Sequence, residues 1–473
     1  MQPKLISKVS GIFMQKITSF NIEGLHGTLD VSVPIIDGKV ILVGVNGLGK
    51  TTIVSMLYFV LTRQWQKLLE YDFERLALYV DGEKVQIERA MLDNNELSYQ
   101  TSLFESLPLS VMEKLRESRE FSQLLRRSAA GRIPREEIIR TARILEMPPI
   151  ILERVFLNQA RPSKRQRKTS HALDEIEKKL ATFTAQVLYL PTYRRIEQDL
   201  KSLFPDFEGD FRKVVRSRVN RGGRSGYVEL VEFGMEDVEA TVTTKVAALK
   251  EGSRVELNNL AGGYLRDVIR GEAREWSEEK INQLKDHEVA LILGRVEEKQ
   301  LEDPDKQKVF DVINRIRNRS PLDNDQDLLA HFFSKLVSIH ETQRKAEVPL
   351  RKFIDVSNKY LQSKQFVFDD VGYELTLELD RGGEIQMRDL SSGEKQIVSL
   401  FAQLHLGESE NYALIIDEPE LSLSVEWQQK LLPDIMSSGR CSFLAAVTHS
   451  PFIYDNELVS FAQDLAELQR IRG

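Results

Sequence analysis

The segment Gly44-Val45-Asn46-Gly47-Leu48-Gly49-Lys50-Thr51 sets glycines, a lysine and a threonine at the spacing G-x-x-x-x-G-K-[ST]. That spacing suits a phosphate group. Glycines let successive backbone N–H groups turn inward around an oxyanion, and a helix opening behind the loop adds its positive end. Lys50 would neutralise β- and γ-phosphates, and the Thr51 hydroxyl would hold Mg²⁺. The candidate nucleotide-binding residues are therefore Gly44, Asn46, Gly47, Gly49, Lys50, Thr51 and Thr52. A glycine turn can also arise by chance. Two neighbours give this one weight: the apolar run Lys39 to Val43 before it, which reads as a buried strand, and a mostly apolar helix from about Thr51 to Leu61 after it.

Three further segments carry groups that fit the same chemistry. Ala413-Leu414-Ile415-Ile416-Asp417-Glu418-Pro419-Glu420 is an apolar strand ending in acids, at the strand edge where α/β ligands bind. Asp417 would hold Mg²⁺ through water, and Glu418 would polarise the attacking water; the plain alternative is a pair of solvated acids. In Leu390-Ser391-Ser392-Gly393-Glu394-Lys395-Gln396, a serine and a glycine precede Ile397, Leu400, Phe401 and Leu404, which fall on one face of a helix. Such a helix start presents donors to an anion, or is simply well capped with Glu394 in its first turn. Finally, the apolar strand Phe443 to Val447 ends in Thr448-His449-Ser450-Pro451. A lone histidine at a strand end is most often structural. This one follows Asp417 by 32 residues (449 − 417) and one helix, as on a neighbouring parallel strand, and could reach a γ-phosphate.

These segments sit in a chain of 473 residues, 41% hydrophobic and 29% charged, with room for two or three domains. At a net charge of −7, any nucleic-acid contact must come from a local basic surface. The single cysteine, Cys441, excludes intramolecular disulfides and thiolate zinc clusters and fits a reducing compartment. No signal-peptide pattern and no 18-residue apolar run is present, so the expectation is a cytoplasmic protein without a membrane span.

Along the chain, Met14 to Asn21 and Leu29 to Val33 alternate as strands, and Lys84 to Arg89 with Leu97 to Leu103 suggest a hairpin around Asp93-Asn94-Asn95. Residues 108–160 are helical in pattern, 161–170 read as loop, and Val187 to Leu190 as a strand. Residues 235–362 read as helices broken near Gly262-Gly263 and Pro304, without the sustained heptads of a long coiled coil. Strand signals return at Gln365 to Phe368 and Tyr373 to Leu379, and the last ninety residues alternate helix and strand as in a parallel sheet. The implied division is 1–105, a helical insertion 106–185, a return at 186–234, a second helical insertion 235–362, and 363–473.

Together the four motifs resemble the ABC ATPase head, in the branch shared by SMC, RecF and OLD proteins. The resemblance covers roughly residues 10–100 and 365–455. It implies an α/β head, a parallel sheet core with an antiparallel β edge, interrupted by a large mainly helical insertion. It casts LSSGEKQ as the signature motif, IIDEPE as the Walker B strand with catalytic Glu418, and THSP as a histidine switch built on His449. ATP and Mg²⁺ are the implied ligands, with Thr51 and Asp417 at the metal. In that family the signature serine meets the γ-phosphate held by the other subunit, so Ser391 and Gly393 would act in trans. A homodimer, or a higher homo-oligomer, around two ATP molecules follows. Two features depart from the pattern. Leu421-Ser422-Leu423-Ser424 lacks the aspartate many transporters carry after Walker B, and the Q-loop glutamine has only Gln159 as a metal-side candidate.

LYLPTYRRIE at 188–197, FGMEDV at 233–238, DEPELSLSVEWQ and THSPFIYDN are similar to the ATPase subunit of Septu-type anti-phage systems and its retron-associated relatives. Arg194 or Arg195 would there approach phosphate or a partner, or form a surface ion pair. The chain itself carries no His/Asn nuclease cluster, zinc spacing or acidic triad, and His171, His287, His331 and His340 are scattered. A separate small nuclease subunit is thus the expected partner. Nucleic acid is a candidate ligand of two basic stretches, Arg161, Lys164, Arg165, Arg167 and Lys168, and Arg212, Lys213, Arg216, Arg218, Arg221 and Arg224 beside Tyr227. The competing expectations are a repair ATPase acting directly on DNA and a toxin–antitoxin or other scaffold in which ATP fixes assembly.

Overall fold

The computed structural model describes residues 16–45, 47–93, 140–142, 173, 175–180, 183, 185–190, 227–229, 235–273, 276–296 and 301–472. The chain opens with β1 (Ile17–Leu25), β2 (Leu29–Pro34) and β3 (Lys39–Val43). Helix α1 (Lys50–Leu61), the short α2 (Trp65–Leu68), β4 (Arg75–Val80), β5 (Glu83–Glu88) and α3 (Arg89–Asp93) follow. After β6 (Gln186–Leu190) and β7 (Tyr227–Glu229) comes a helical stretch. It comprises α4 (Met235–Arg270), α5 (Glu278–Asn282), α6 (Asp286–Gly294), α7 (Asp303–Arg317) and α8 (Asn324–Asn358). The chain continues through β8 (Lys364–Asp369), β9 (Glu374–Leu379), α9 (Ser392–Leu406), β10 (Tyr412–Asp417), α10 (Val425–Ser437) and β11 (Cys441–Thr448). It ends in β12 (Ala462–Asp464), α11 (Leu465–Leu468) and β13 (Gln469–Ile471). The class is α/β, with a largely helical stretch between the strands.

Two compact units result. One comprises Met1–Val187, Phe443–Val447 and Phe461–Gly473, the other Leu188–Ser442 and Thr448–Ser460. In the first unit an antiparallel sheet runs in the order β13-β2-β1-β4-β5. Its register sets Phe20 opposite both Val33 and Leu78. β12 pairs in parallel with β3, Gln463 opposite Leu42, and the N–H of Leu444 donates to the Gly38 carbonyl at 2.9 Å. Phe20, Val33, Val40, Leu42, Leu57 and Ala445 line one small apolar cavity, so both sets of strands and α1 bury their apolar faces together.

In the second unit β10 is buried along its whole length, and residues 188–190 of β6 and then β7 lie on one side of it. Helix α9 buries Ile397, Leu400, Phe401 and Leu404, as their spacing requires. Tyr360, 1% exposed, packs against Phe401 and Trp427 while its hydroxyl donates to Asp434 at 2.8 Å. Helices α5 to α8 share a core built on Ile281, Val289, Ile292, Ile313, Phe333 and Val337.

The structure corrects one detail of the sequence reading, at Gly262-Gly263, and adds to two others. β5 pairs residue for residue with β4 in a hairpin closed by Asp81-Gly82 at positive φ (51° and 81°). Two-residue turns of this hand need φ above zero at both positions, which Asp-Gly supplies. Leu97 to Leu103 lies outside the described residues. Gly262-Gly263 does not break α4, a helix of 36 residues. Paired glycines cost a helix roughly 2 kcal/mol against alanines. Bonds to α8 hold the turns that follow: Asp267 accepts from His331 Nε2 at 3.1 Å and from Lys335 Nζ at 2.8 Å. The break expected near Pro304 is present: α6 ends at Gly294 and Pro304 opens α7, where a missing N–H costs nothing.

Two predictions follow from buried polar groups. Glu347 is 0% exposed and accepts from Arg295 at 2.6 Å and Arg351 at 2.7 Å, linking α8 to the residue after α6. Removing one partner of such a pair strands the other charge, so Glu347→Ala should cost about 3–5 kcal/mol in denaturant unfolding. His405, 4% exposed, is pushed down from 6.5 to about 4, first by burial and then by the charges of Arg440 and Lys352. It is neutral in the fold and takes a proton on unfolding below its ordinary value. Its contribution is therefore present above about pH 6.5, erodes as pH falls toward 4 and is gone below that. The window corresponds to about 3 kcal/mol, and His405→Gln should flatten the slope of stability against pH there.

Candidate functional site

In the first unit, β3 delivers the chain into the glycine loop and α1 carries it away. Gly44, Gly47 and Gly49 stand at φ 149°, 89° and 81°. Gly44 needs glycine for its backbone; a Cβ there would also lie 2.9 Å from a Leu48 methyl, which could turn aside. Gly49 is the N-cap of α1, with no side-chain cap and no acidic residue in the first turn. Lys50 is 5% exposed, and its ammonium donates to the carbonyls of Gly44 at 3.0 Å and Val45 at 3.1 Å. Thr51 is exposed at the same helix start. Gln469 donates to the Leu48 carbonyl at 2.8 Å and ties the loop to β13. The result is a glycine loop running into a helix start whose first turn carries no acidic residue, an arrangement that suits a phosphate.

The second unit assembles the other motifs. Asp417, 3% exposed, ends β10, and Glu418 follows in the left-handed region at φ 53°. Backbone strain at a residue of this type is of order 1–3 kcal/mol and collects at functional turns. Glu418 Oε1 lies 3.0 Å from His449 Nε2, with side chains 15% and 30% exposed. The pair is therefore half-open to solvent, while Asp417 behind it is closed off.

Glu420, to which the sequence reading gives no role, holds the turn carrying His449. It accepts from the Thr448 hydroxyl at 2.7 Å, the His449 N–H at 2.7 Å and the Ser450 N–H at 3.1 Å. The signal in the sequence is only an acid two residues past Glu418; its partners are 28 to 30 residues away along the chain.

Ser391 is the N-cap of α9: its hydroxyl accepts from the Glu394 N–H at 3.4 Å, and Glu394 returns the bond to the Ser391 N–H at 2.8 Å. The local, capping account of this motif is thus realised. Glu394 is 3% exposed; burial pushes its carboxyl up, but the Ser391 N–H and the Lys364 ammonium at 3.0 Å outweigh it and hold it below its ordinary value. Ser391 and Ser392 remain exposed at the start of this 15-residue helix. Gly393 is buried against the chain that follows the acids: a Cβ there would lie 2.4 Å from the Ser422 carbonyl oxygen and 3.3 Å from the Trp427 ring. Ser422 itself is at φ 67°. Gly393 therefore has a packing role within its own chain, whatever it does toward a nucleotide.

Among the sequence candidates, Glu418 and His449 are in contact, Gly393 touches the segment after Asp417 and Glu418, and Gly44, Gly47, Gly49, Lys50, Thr51 and Thr52 form the loop and helix start. Asn46, Gln159, Arg194, Arg195, His171 and both basic stretches up to Arg224 lie outside the described residues. His331 and His340 bond inside the helical stretch, His331 to Asp267 and His340 beside Arg295 at 3.5 Å. Among the described residues no group of three or more His, Cys, Asp or Glu is placed to hold a metal ion alone, and no helix is long and apolar enough to cross a membrane. Each unit offers a donor type that magnesium takes: the exposed Thr51 hydroxyl at a helix start in the first, the buried Asp417 carboxylate at a strand end in the second.

Residues 267–455 match the family model described as "AAA domain, putative AbiEii toxin, Type IV TA system". The matched stretch contains α9, the acids and His449, and leaves out the glycine loop. No curated protein matches the chain. Among solved structures it is similar to an Smc head domain with an extended coiled coil, bound to the C-terminal domain of ScpA, from Pyrococcus furiosus: 11% identity, TM-score 0.33, covering 97% of this chain and 96% of that one. An SmcHead bound to the C-winged helix domain of ScpA gives 11% identity, TM-score 0.31, and covers 93% and 91%. An Smc head domain with a coiled coil and joint from Pyrococcus yayanosii gives 14%, 0.30, and 97% of each chain. Likeness at this level adds nothing to what the chain's own elements establish.

The close approach at Gly393 makes a sharp prediction. Gly393→Ala must displace the Ser422 carbonyl or the helix start, so it should destabilise the chain by about 1–3 kcal/mol. A thermal melt unchanged from wild type would contradict the packing role.

Proposed function

We propose that this chain is a magnesium-dependent ATPase of the ABC type that works as a nucleotide-sandwiched homodimer. The observation that carries the reading is the half-open Glu418–His449 pair, 3.0 Å apart, directly after the buried Asp417. Lys50 and the N–H groups at the start of α1 bind the phosphates. Thr51 and Asp417 are the residues that would hold Mg²⁺, which when bound would supply positive charge against the phosphates. Glu418 orients water toward the γ-phosphorus and takes its proton as the new P–O bond forms and the bond to ADP breaks. His449 donates to a γ-phosphate oxygen and keeps Glu418 in place.

The dimer is supported by what the second unit exposes. Ser391 and Ser392 stand open at the start of α9, and Leu421, Val425 and Phe452 are 48%, 48% and 40% exposed. In this reading Ser391 meets the γ-phosphate bound by a second copy. Chains resembling this one in LYLPTYRRIE and FGMEDV serve anti-phage systems. We therefore assign it the regulatory ATPase role in a defence complex, with a separate nuclease as the cutting partner. The family description favours a second reading, in which the chain is a component of a toxin–antitoxin pair and ATP chiefly fixes its assembly.

Glu418→Gln should bind ATP with unchanged affinity, accumulate as an ATP-bound dimer in light scattering and lose at least about 100-fold in phosphate release. Hydrolysis at the wild-type rate would remove Glu418 from the reaction. Co-purification of a stoichiometric nuclease supports the defence role. ATP-dependent assembly with negligible turnover in the wild type supports the second reading instead.

A further inference from the structure

Glu418 and Glu420 belong to one short turn, separated by Pro419, and both grip His449. Glu418 meets the imidazole at Nε2, 3.0 Å away. Glu420 meets the backbone of the same residue: Oε1 accepts the N–H of His449 at 2.7 Å and of Ser450 at 3.1 Å, while Oε2 accepts the Thr448 hydroxyl at 2.7 Å. The Thr448 hydroxyl oxygen in turn accepts the Ser450 N–H at 3.0 Å, and the Ser450 hydroxyl donates to Gln428 on α10 at 2.6 Å. The histidine is thus held at two points by one tripeptide whose middle residue has a fixed φ.

A carboxylate accepting two N–H groups and a hydroxyl is a demanding arrangement for a surface turn. A neutral threonine or asparagine could cap two N–H groups there. The charge makes all three bonds stronger and shorter. The contact that benefits is the half-open imidazole–carboxylate pair, which water would otherwise compete for.

We propose that Glu420 is a positioning residue for hydrolysis: by clamping the Thr448–Ser450 turn it fixes the His449 imidazole against Glu418. Glu420 acts through His449, whose backbone N–H it holds. The assignment rests on the ATPase reading above.

The test is a double-mutant cycle on the purified full-length chain, reading phosphate release, ATP binding and thermal melting for wild type, E420A, E420Q, H449A and E420A/H449A. E420A should lower kcat by about 10- to 100-fold, the scale of a misplaced catalytic group, with KM changed less than about threefold. E420Q should recover most of the rate, since its amide oxygen accepts both N–H groups and its NH₂ donates to Thr448. E420A/H449A should be no slower than H449A, because the clamp has nothing left to position. E420D, which keeps the charge but withdraws it by one methylene, gives the same cycle should E420A not fold. Wild-type kcat in E420A, or in E420D where E420A does not fold, or losses that multiply with that of H449A, overturns the proposal while leaving the ATPase reading in place. A wild-type chain that releases no phosphate under any condition overturns both.

Discussion

A fully buried strand cannot end in two carboxylates without something to answer them, and the second unit is organised around that constraint. Every residue of β10 is buried, so Asp417 emerges from apolar surroundings with its charge. A lone carboxylate in such a place would take up a proton or pull the strand end apart. Here the chain turns at once, through Glu418 at φ 53°, and sends the second acid outward to His449. The third acid, Glu420, goes to the backbone of the neighbouring strand end. The segment behind them then doubles back onto the start of α9, so closely that only a glycine fits at position 393. The turn that satisfies the strand end also carries the Glu418–His449 pair.

The helical stretch is bolted to this region by polar contacts. Tyr360 and Lys359, just past α8, both bond Asp434 on α10. Lys364 on β8 reaches Glu394 in the cap of α9. Further out, Arg295, Gln343, Glu347 and Arg351 make a buried network with the β8–β9 turn through the Asp370 carbonyl and Tyr373. Buried charges of this kind favour one arrangement of the helices because any other leaves them unpaired.

Local chemistry was legible in the sequence, and long-range chemistry was not. Lys39 to Val43, the helix behind the glycine loop and the face made by Ile397, Leu400, Phe401 and Leu404 follow from periodicity. Ser391 followed three residues later by Glu394 announces the capping box that α9 adopts. The β4–β5 hairpin was also written locally, in Asp81-Gly82. Gly262-Gly263 misleads for a different reason, since α4 is held by bonds to α8 that no window of sequence contains. Glu420 and the Gly393–Ser422 approach are of the same kind: each residue type is explained by an atom some thirty positions away.

The most direct measurement of the central claim is phosphate release from ATP by the purified chain, run beside the Lys50→Ala variant, with Mg²⁺ and with the metal chelated. Release that requires Mg²⁺ and is lost in Lys50→Ala, together with ATP binding, is the predicted result. Release that persists in Lys50→Ala or without the metal would contradict it, and a wild-type chain that binds no ATP would do so outright.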